Sequence, residues 1–156
     1  MVSCSEEKKK LVERLGIHFE RESNITPLAA RILALLILTP SEGLTFDEIT
    51  QITGASKSSI STNVNLLLQL KNINYFTKPG DRKRYFKVSK NHLEINLNEN
   101  LLKVNSGLEI IDSIDQFNRK YEDDQSEKRK IRQLYQEYLR SQQENLKEAI
   151  KKISKI

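Results

Sequence analysis

Three hydroxyl residues, Thr26, Thr45 and Ser56, head helical patterns in quick succession. Each can accept a hydrogen bond from a backbone N–H that the first turn of a helix leaves unpaired. Thr26 precedes Pro27, whose fixed φ suits the first helical position. Thr45 precedes Glu48 by three residues, the spacing of a capping box. Ser56 follows Gly54, which can supply the positive φ of a tight turn. The spacing predicts a helix over residues 27–38, a short helix ending at Thr53-Gly54, and a third helix from Ser56 to about residue 70. The first is apolar on most sides (Leu28, Ala29, Ile32, Leu33, Leu35, Leu36, Ile37), so it should be central and buried.

The third helix is two-sided. Ile60, Val64, Leu67 and Leu68 share one face, and Lys57, Ser58, Ser59, Ser61, Thr62, Asn63 and Asn65 make the other. Ile73, Tyr75 and Phe76 are β-formers, and Pro79-Gly80-Asp81 reads as a type II turn with glycine where φ is positive. A hairpin with strands at about 73–78 and 84–88 follows. Helix, short helix, glycine turn, helix and hairpin in that order make a winged helix-turn-helix over residues 26–90.

The flanks are helical as well. Leu11, Val12, Leu15 and Phe19 lie on one face of a helix near residues 5–22. Residues 92–121 carry Leu101, Val104, Leu108, Ile111, Ile114 and Tyr121 at helical spacing, with asparagines near residues 94–101 that could delay or break the helix. Glu122-Asp123-Asp124-Gln125 should interrupt the pattern. Ser126 can cap a last helix bearing Ile131, Leu134, Tyr135, Tyr138, Leu139, Leu146, Ala149, Ile150 and Ile153. The fold class expected is mainly α with a small β-hairpin wing. Residues 1–25 and 91–156 would be dimerisation helices, because their apolar stripes exceed what a small domain can cover. A chain with 37% hydrophobic and 30% charged residues is lean, which suits a helical protein with exposed faces or one with a partner subunit over some of them.

Charge is placed as unevenly as the helices are placed regularly. The net charge is +5. Acidic and basic residues balance over residues 1–44 and again over 91–156. Between 45 and 90, Lys57, Lys71, Lys78, Arg82, Lys83, Arg84, Lys87 and Lys90 face only Asp47, Glu48 and Asp81, so this segment holds the whole excess. A concentrated basic face is the footprint of a polyanion partner.

A helix entering a major groove about 12 Å wide needs small polar side chains near its N-terminus. Ser56, Lys57, Ser58, Ser59, Ser61, Thr62 and Asn63 supply them, and Asn63 could read adenine through two hydrogen bonds. Lys78, Arg82, Lys83 and Arg84 sit at the hairpin tip, where they can lie along the backbone or enter a narrow minor groove. Asp81 would repel phosphate, so it should pair with Arg82 or Arg84 or hydrogen-bond the turn backbone. Two other partners stay open. A protein-binding winged helix would carry an apolar or mixed patch on the third helix and a neutral wing. An RNA binder would carry an aromatic stacking platform, whereas Tyr75, Phe76, Tyr85 and Phe86 look like hairpin packing.

The stretch Pro27…Arg31-Ile32, then LTFDEITQITGASKSSISTNVNLLLQL (residues 44–70), then PGDRKRYF (residues 79–86) resembles the MarR-type transcriptional regulators. It is most similar to their GbsR-like branch, in which a serine-rich SKxSxS helix start and a PGxRKxY wing recur. The resemblance implies a homodimer joined through its terminal helices, acting as a repressor or activator of transcription on double-stranded DNA. It implies recognition-helix roles for Lys57, Ser58, Ser59 and Ser61, and wing roles for Arg82, Lys83 and Arg84. Such regulators often answer to a small-molecule effector, but no motif after residue 91 matches one. Two-fold symmetry would set the recognition helices about 34–36 Å apart.

Enzyme chemistry finds no support. His18 and His92 are far apart, Cys4 is the only cysteine, and neither a metal-ligand spacing nor a phosphate loop nor a nucleophile set can be assembled. No cofactor is expected. Cys4 permits no intrachain disulfide, no apolar run of about 18 residues exists, and the first ten residues lack the apolar core of a signal peptide. A reducing cytoplasm is the expected location.

Overall fold

The computed structural model describes residues 5–121 and 127–156. Cys4, the break at 122–125 and the Ser126 cap lie outside the described residues. The chain divides into two compact units, the first ending at His92 and the second spanning residues 93–156.

In the first unit the predicted starts are where the helices begin. α1 (Glu6–Ser23) is capped by Ser5 and α2 (Pro27–Ile37) by Thr26. α3 (Phe46–Thr53) carries both halves of the capping box. The Thr45 N–H and hydroxyl donate to Glu48 Oε2 at 2.7 and 2.8 Å, and the Glu48 N–H returns to Thr45 Oγ1 at 3.3 Å. The Thr45 N–H bond, above all, holds the Glu48 carboxyl below its usual pKa. Gly54 closes α3 at φ +67, and α4 (Lys57–Gln69) starts from Ser56.

β2 (Ile73–Thr77) and β3 (Arg84–Val88) pair antiparallel, Tyr75 opposite Phe86 and Phe76 opposite Tyr85. A third strand, absent from the sequence expectation, is β1 (Leu44–Thr45), which adds to the other edge of β3 in the order β1-β3-β2. Two residues give no periodicity to detect. Gly43 permits the approach: its φ is +70, and a Cβ there would stand 2.6 Å from the Phe86 carbonyl oxygen.

The core gathers Ile32, Leu35 and Leu36 of α2, Ile49 of α3, Ile60, Val64 and Leu67 of α4, and Leu44, Ile73 and Phe86 of the sheet. This is the winged helix-turn-helix arrangement. α1, expected to serve dimerisation, packs on α2 in this unit, where Val12 and Phe19 touch the core. The Arg31 guanidinium ties the two helices together by donating from Nε to Glu13 at 2.9 Å and from Nη1 to Glu20. Its hydrogen bond is the main reason that the Glu13 carboxyl sits below its usual pKa. Gly16 is buried against Arg31, and a Cβ there would press on the Arg31 side chain.

The second unit is a pair of long helices, α5 (His92–Tyr121) and α6 (Glu127–Ile153). The asparagine-rich start of α5 stays helical because the amides bond along the helix, Asn98 to the Glu94 carbonyl and Asn100 to Asn96. Gln143 bonds Asn105, Gln136 bonds Asp112 and Arg132 bonds Asp115. Partner numbers rise on one helix as they fall on the other, so the pair is antiparallel. Val104, Leu108, Ile111 and Leu139 form its small core, with Leu146 beside them.

Candidate nucleic-acid interface

α4 buries Ile60, Asn63, Val64 and Leu67 and exposes Lys57, Ser58, Ser59, Ser61, Thr62 and Asn65. The serines at its start are partly engaged by the helix itself. Ser56 Oγ accepts the Ser59 N–H at 3.2 Å and bonds the Ser59 hydroxyl at 2.8 Å. The Thr62 hydroxyl donates to the Ser58 carbonyl at 3.1 Å. A hydroxyl held this way can still accept a second hydrogen bond, so the exposed row keeps its capacity for a polar ligand.

Asn63 differs from its sequence assignment. It is buried; its Nδ2 donates to the Ser59 carbonyl at 2.7 Å, and its Oδ1 accepts the hydroxyl of Thr26. That hydroxyl also takes the Ala29 N–H at the start of α2. Asn63 is therefore the polar joint between α4 and the N-cap of α2, and it has no edge to offer a base. The physical reason is helical phase. The core positions Ile60, Val64 and Leu67 recur every three or four residues, and position 63 falls among them.

The wing is built from a locked turn. The Asp81 N–H donates to the Lys78 carbonyl at 3.0 Å across Pro79-Gly80, with Gly80 at φ +78. The Asp81 carboxylate accepts the Lys83 N–H at 2.9 Å and the Tyr85 hydroxyl at 2.6 Å. Of the roles expected for Asp81, bonding the turn backbone holds, and the tyrosine takes the place of the arginines. The shared proton pulls the two groups apart: the Tyr85 bond lowers the Asp81 pKa first, then the Lys83 N–H, and Asp81 raises that of Tyr85.

Aromatic rings then carry the wing's cations. Lys78 Nζ lies 4.0 Å from the centre of the Tyr85 ring, Lys87 Nζ 4.9 Å from that of Phe76, and the Arg84 guanidinium 4.7 Å from that of Tyr75. Phe76 and Tyr85 stack with centroids 5.6 Å apart. Such cation–π contacts hold a long side chain in place while its charge stays available to a polyanion. Arg82, Lys83 and Arg84 are exposed. Between wing and helix runs an open cleft of about 280 Å³, edged by Ser61, Asn65, Lys83 and Arg84 over Val64, Leu68 and Phe86. Of the two predicted clusters, Ser61 from α4 and Lys83 and Arg84 from the wing meet at this cleft. Helical phase marks Asn65 as exposed in the sequence, but nothing there announces the Tyr85–Asp81 bond.

Among the described residues no group of three or more His, Cys, Asp or Glu side chains could hold a metal ion. No helix there is long and apolar enough to cross a membrane.

No family model matches the chain. Over 82 residues, 53% of this chain and 49% of the relative, it is 35% identical to the HTH-type transcriptional regulator MmpR5 of Mycobacterium tuberculosis. The chain thus spans about half the length of that curated relative. A crystal structure described as a transcriptional regulator shares the fold with a TM-score of 0.61 at 23% identity, over 96% of this chain and 99% of the other. A crystal structure of the S. aureus MepR–DNA complex aligns with a TM-score of 0.45 at 15% identity, over 85% and 91% of the two chains.

Proposed function

We propose that this chain is a MarR-type, DNA-binding transcriptional regulator of the GbsR-like branch, and not an enzyme. It acts in the cytoplasm as a homodimer. α4 enters the major groove, and the wing follows the backbone or the adjacent minor groove. The carrying observation is the groove between the exposed polar row of α4 and the cations of the wing. Ser61 and Asn65 border it from α4 and Lys83 and Arg84 from the wing. Lys57, Ser58, Ser59 and Thr62 continue the exposed row of α4, and Lys78 and Arg82 belong to the wing tip. Ser56 starts the row as the N-cap. The regulator name borne by MmpR5, and the regulator that shares the fold, favour the same function.

The homodimer is supported by the face that α5 and α6 leave open. Ile110, Ile114 and Phe117 of α5 and Ile131, Leu134 and Tyr135 of α6 are exposed. On each helix this stripe lies one residue before the positions that meet the other helix, 111 and 115 on α5 and 132, 136 and 139 on α6. A one-residue offset turns each stripe by about 100°, and in an antiparallel pair both stripes then face the same side. A second copy covers that face. An unidentified small-molecule effector completes the proposal, with no residue assigned to it.

Binding to generic duplex DNA across a salt series tests this function. A dimer that neutralises roughly eight phosphates should give log K falling against log[salt] with a slope of about −7. Replacing Arg82 and Arg84 together by alanine should weaken binding to every sequence and flatten the slope. A salt-independent affinity would end the proposal.

A further inference from the structure

We propose that Asn65 is the base-reading asparagine of α4 and that it recognises adenine in the major groove. The assignment rests on duplex DNA being the partner of this face. It starts from the removal of Asn63, whose amide joins α4 to α2. Two residues on, the helix has turned about 200°, and Asn65 stands on the opposite side. It is exposed, and no hydrogen bond among the described residues engages its side chain. Ser58, Thr62 and Asn65 form the line most distant from the buried row of Ile60, Asn63, Val64 and Leu67, all three exposed. That line covers about 10 Å of helix axis, at 1.5 Å per residue, a length a major groove accepts.

Chemistry separates Asn65 from its neighbours. A hydroxyl is both donor and acceptor and discriminates weakly between bases. A carboxamide presents one acceptor and a paired donor in a plane, which matches adenine N6–H and N7 together. Arg84 and Lys83 border the same cleft as Asn65 and Ser61. Phosphate held by those cations would fix the strand beside the amide, so that position and reading come from different residues.

The test is selection from a random duplex pool by the full chain, by Asn65→Ala and by Asn63→Ala. Wild-type protein should enrich a motif with a fixed A·T pair in each half. Asn65→Ala should keep its melting temperature and the remaining positions of the motif while losing the preference at that pair. In the wild-type site, replacing that adenine by purine, which lacks the 6-amino group, should weaken binding about tenfold to a hundredfold. The same replacement should leave Asn65→Ala unaffected. Asn63→Ala should instead lower the melting temperature and leave the motif intact. The inference is overturned if Asn65→Ala enriches the wild-type motif, or loses affinity equally on all sequences as a phosphate contact would. A wild-type protein that binds duplex without enriching any motif also overturns it. One that binds no duplex at all removes the DNA function, and this assignment with it.

Discussion

The winged-helix unit and the α5–α6 pair are both built from amphipathic segments, yet they reach different ends. In the first, helices from three directions and a sheet close on one core, and no member of it is more than 5% exposed. In the second, two helices meet along one line; their core residues stay 6–9% exposed, and Phe117 and Leu134 remain 57% and 66% exposed. A helix pair has only one internal seam, so any apolar residue off that seam needs another surface. The lesson is that apolar content alone does not make a core. The number of directions from which elements converge decides it.

The sharpest way to break the comparison is to truncate one leucine in each unit. Leu67→Ala, in the closed core, should cost about 2–5 kcal/mol in urea unfolding. Leu108→Ala should cost visibly less when measured at a dilution that keeps chains apart, because its site already borders solvent. Equal losses would mean that the α5–α6 core is as closed as the other.

A second test works on the open face. Ile114→Glu combined with Phe117→Glu should leave the helix content of the chain unchanged. Sedimentation should then show the mass fall from two chains to one, and duplex affinity should drop as the paired contact is lost. A double variant that still sediments as a dimer would place the interface elsewhere.

The smallest expected effect is acid sensitivity. Glu48 of α3 and Glu148 of α6 both have lowered carboxyl pKa values, Glu48 chiefly from the Thr45 N–H and Glu148 chiefly from Lys152. A lowered folded pKa means that the unfolded chain takes up the proton first. The stabilisation is therefore complete above the unfolded value, about 4.3, and is lost as pH falls through the lower, folded one. Glu48→Gln should remove part of the acid-side loss of the melting temperature. Glu148→Gln should change nothing measurable, because an exposed ion pair is screened and contributes little. If the two variants behave alike, the capping box is no stronger than a surface pair.

Much of the fold was legible because its signals are local. Thr26-Pro27, the Thr45–Glu48 box, Gly54 and Pro79-Gly80 each act within four residues, and each became the boundary expected. The candidate face was half legible. The wing cations were marked by charge, which must be exposed to be tolerated. Asn63 was misassigned because residue type does not separate a solvated asparagine from a fully bonded buried one; its helical phase, among Ile60, Val64 and Leu67, is what places it inside. β1 was missed because a two-residue strand exists only by virtue of its partner.

The sequence by itself determined where helices start and stop and where the positive charge collects, since capping, turn chemistry and charge density act between near neighbours. The tertiary structure alone decided that Asn63 joins α4 to the Thr26 cap of α2. It also decided that Asp81 bonds Tyr85, and that α1 packs on the winged helix. Those outcomes depend on groups far apart in the chain meeting at hydrogen-bond distance, and only the packed core sets that distance.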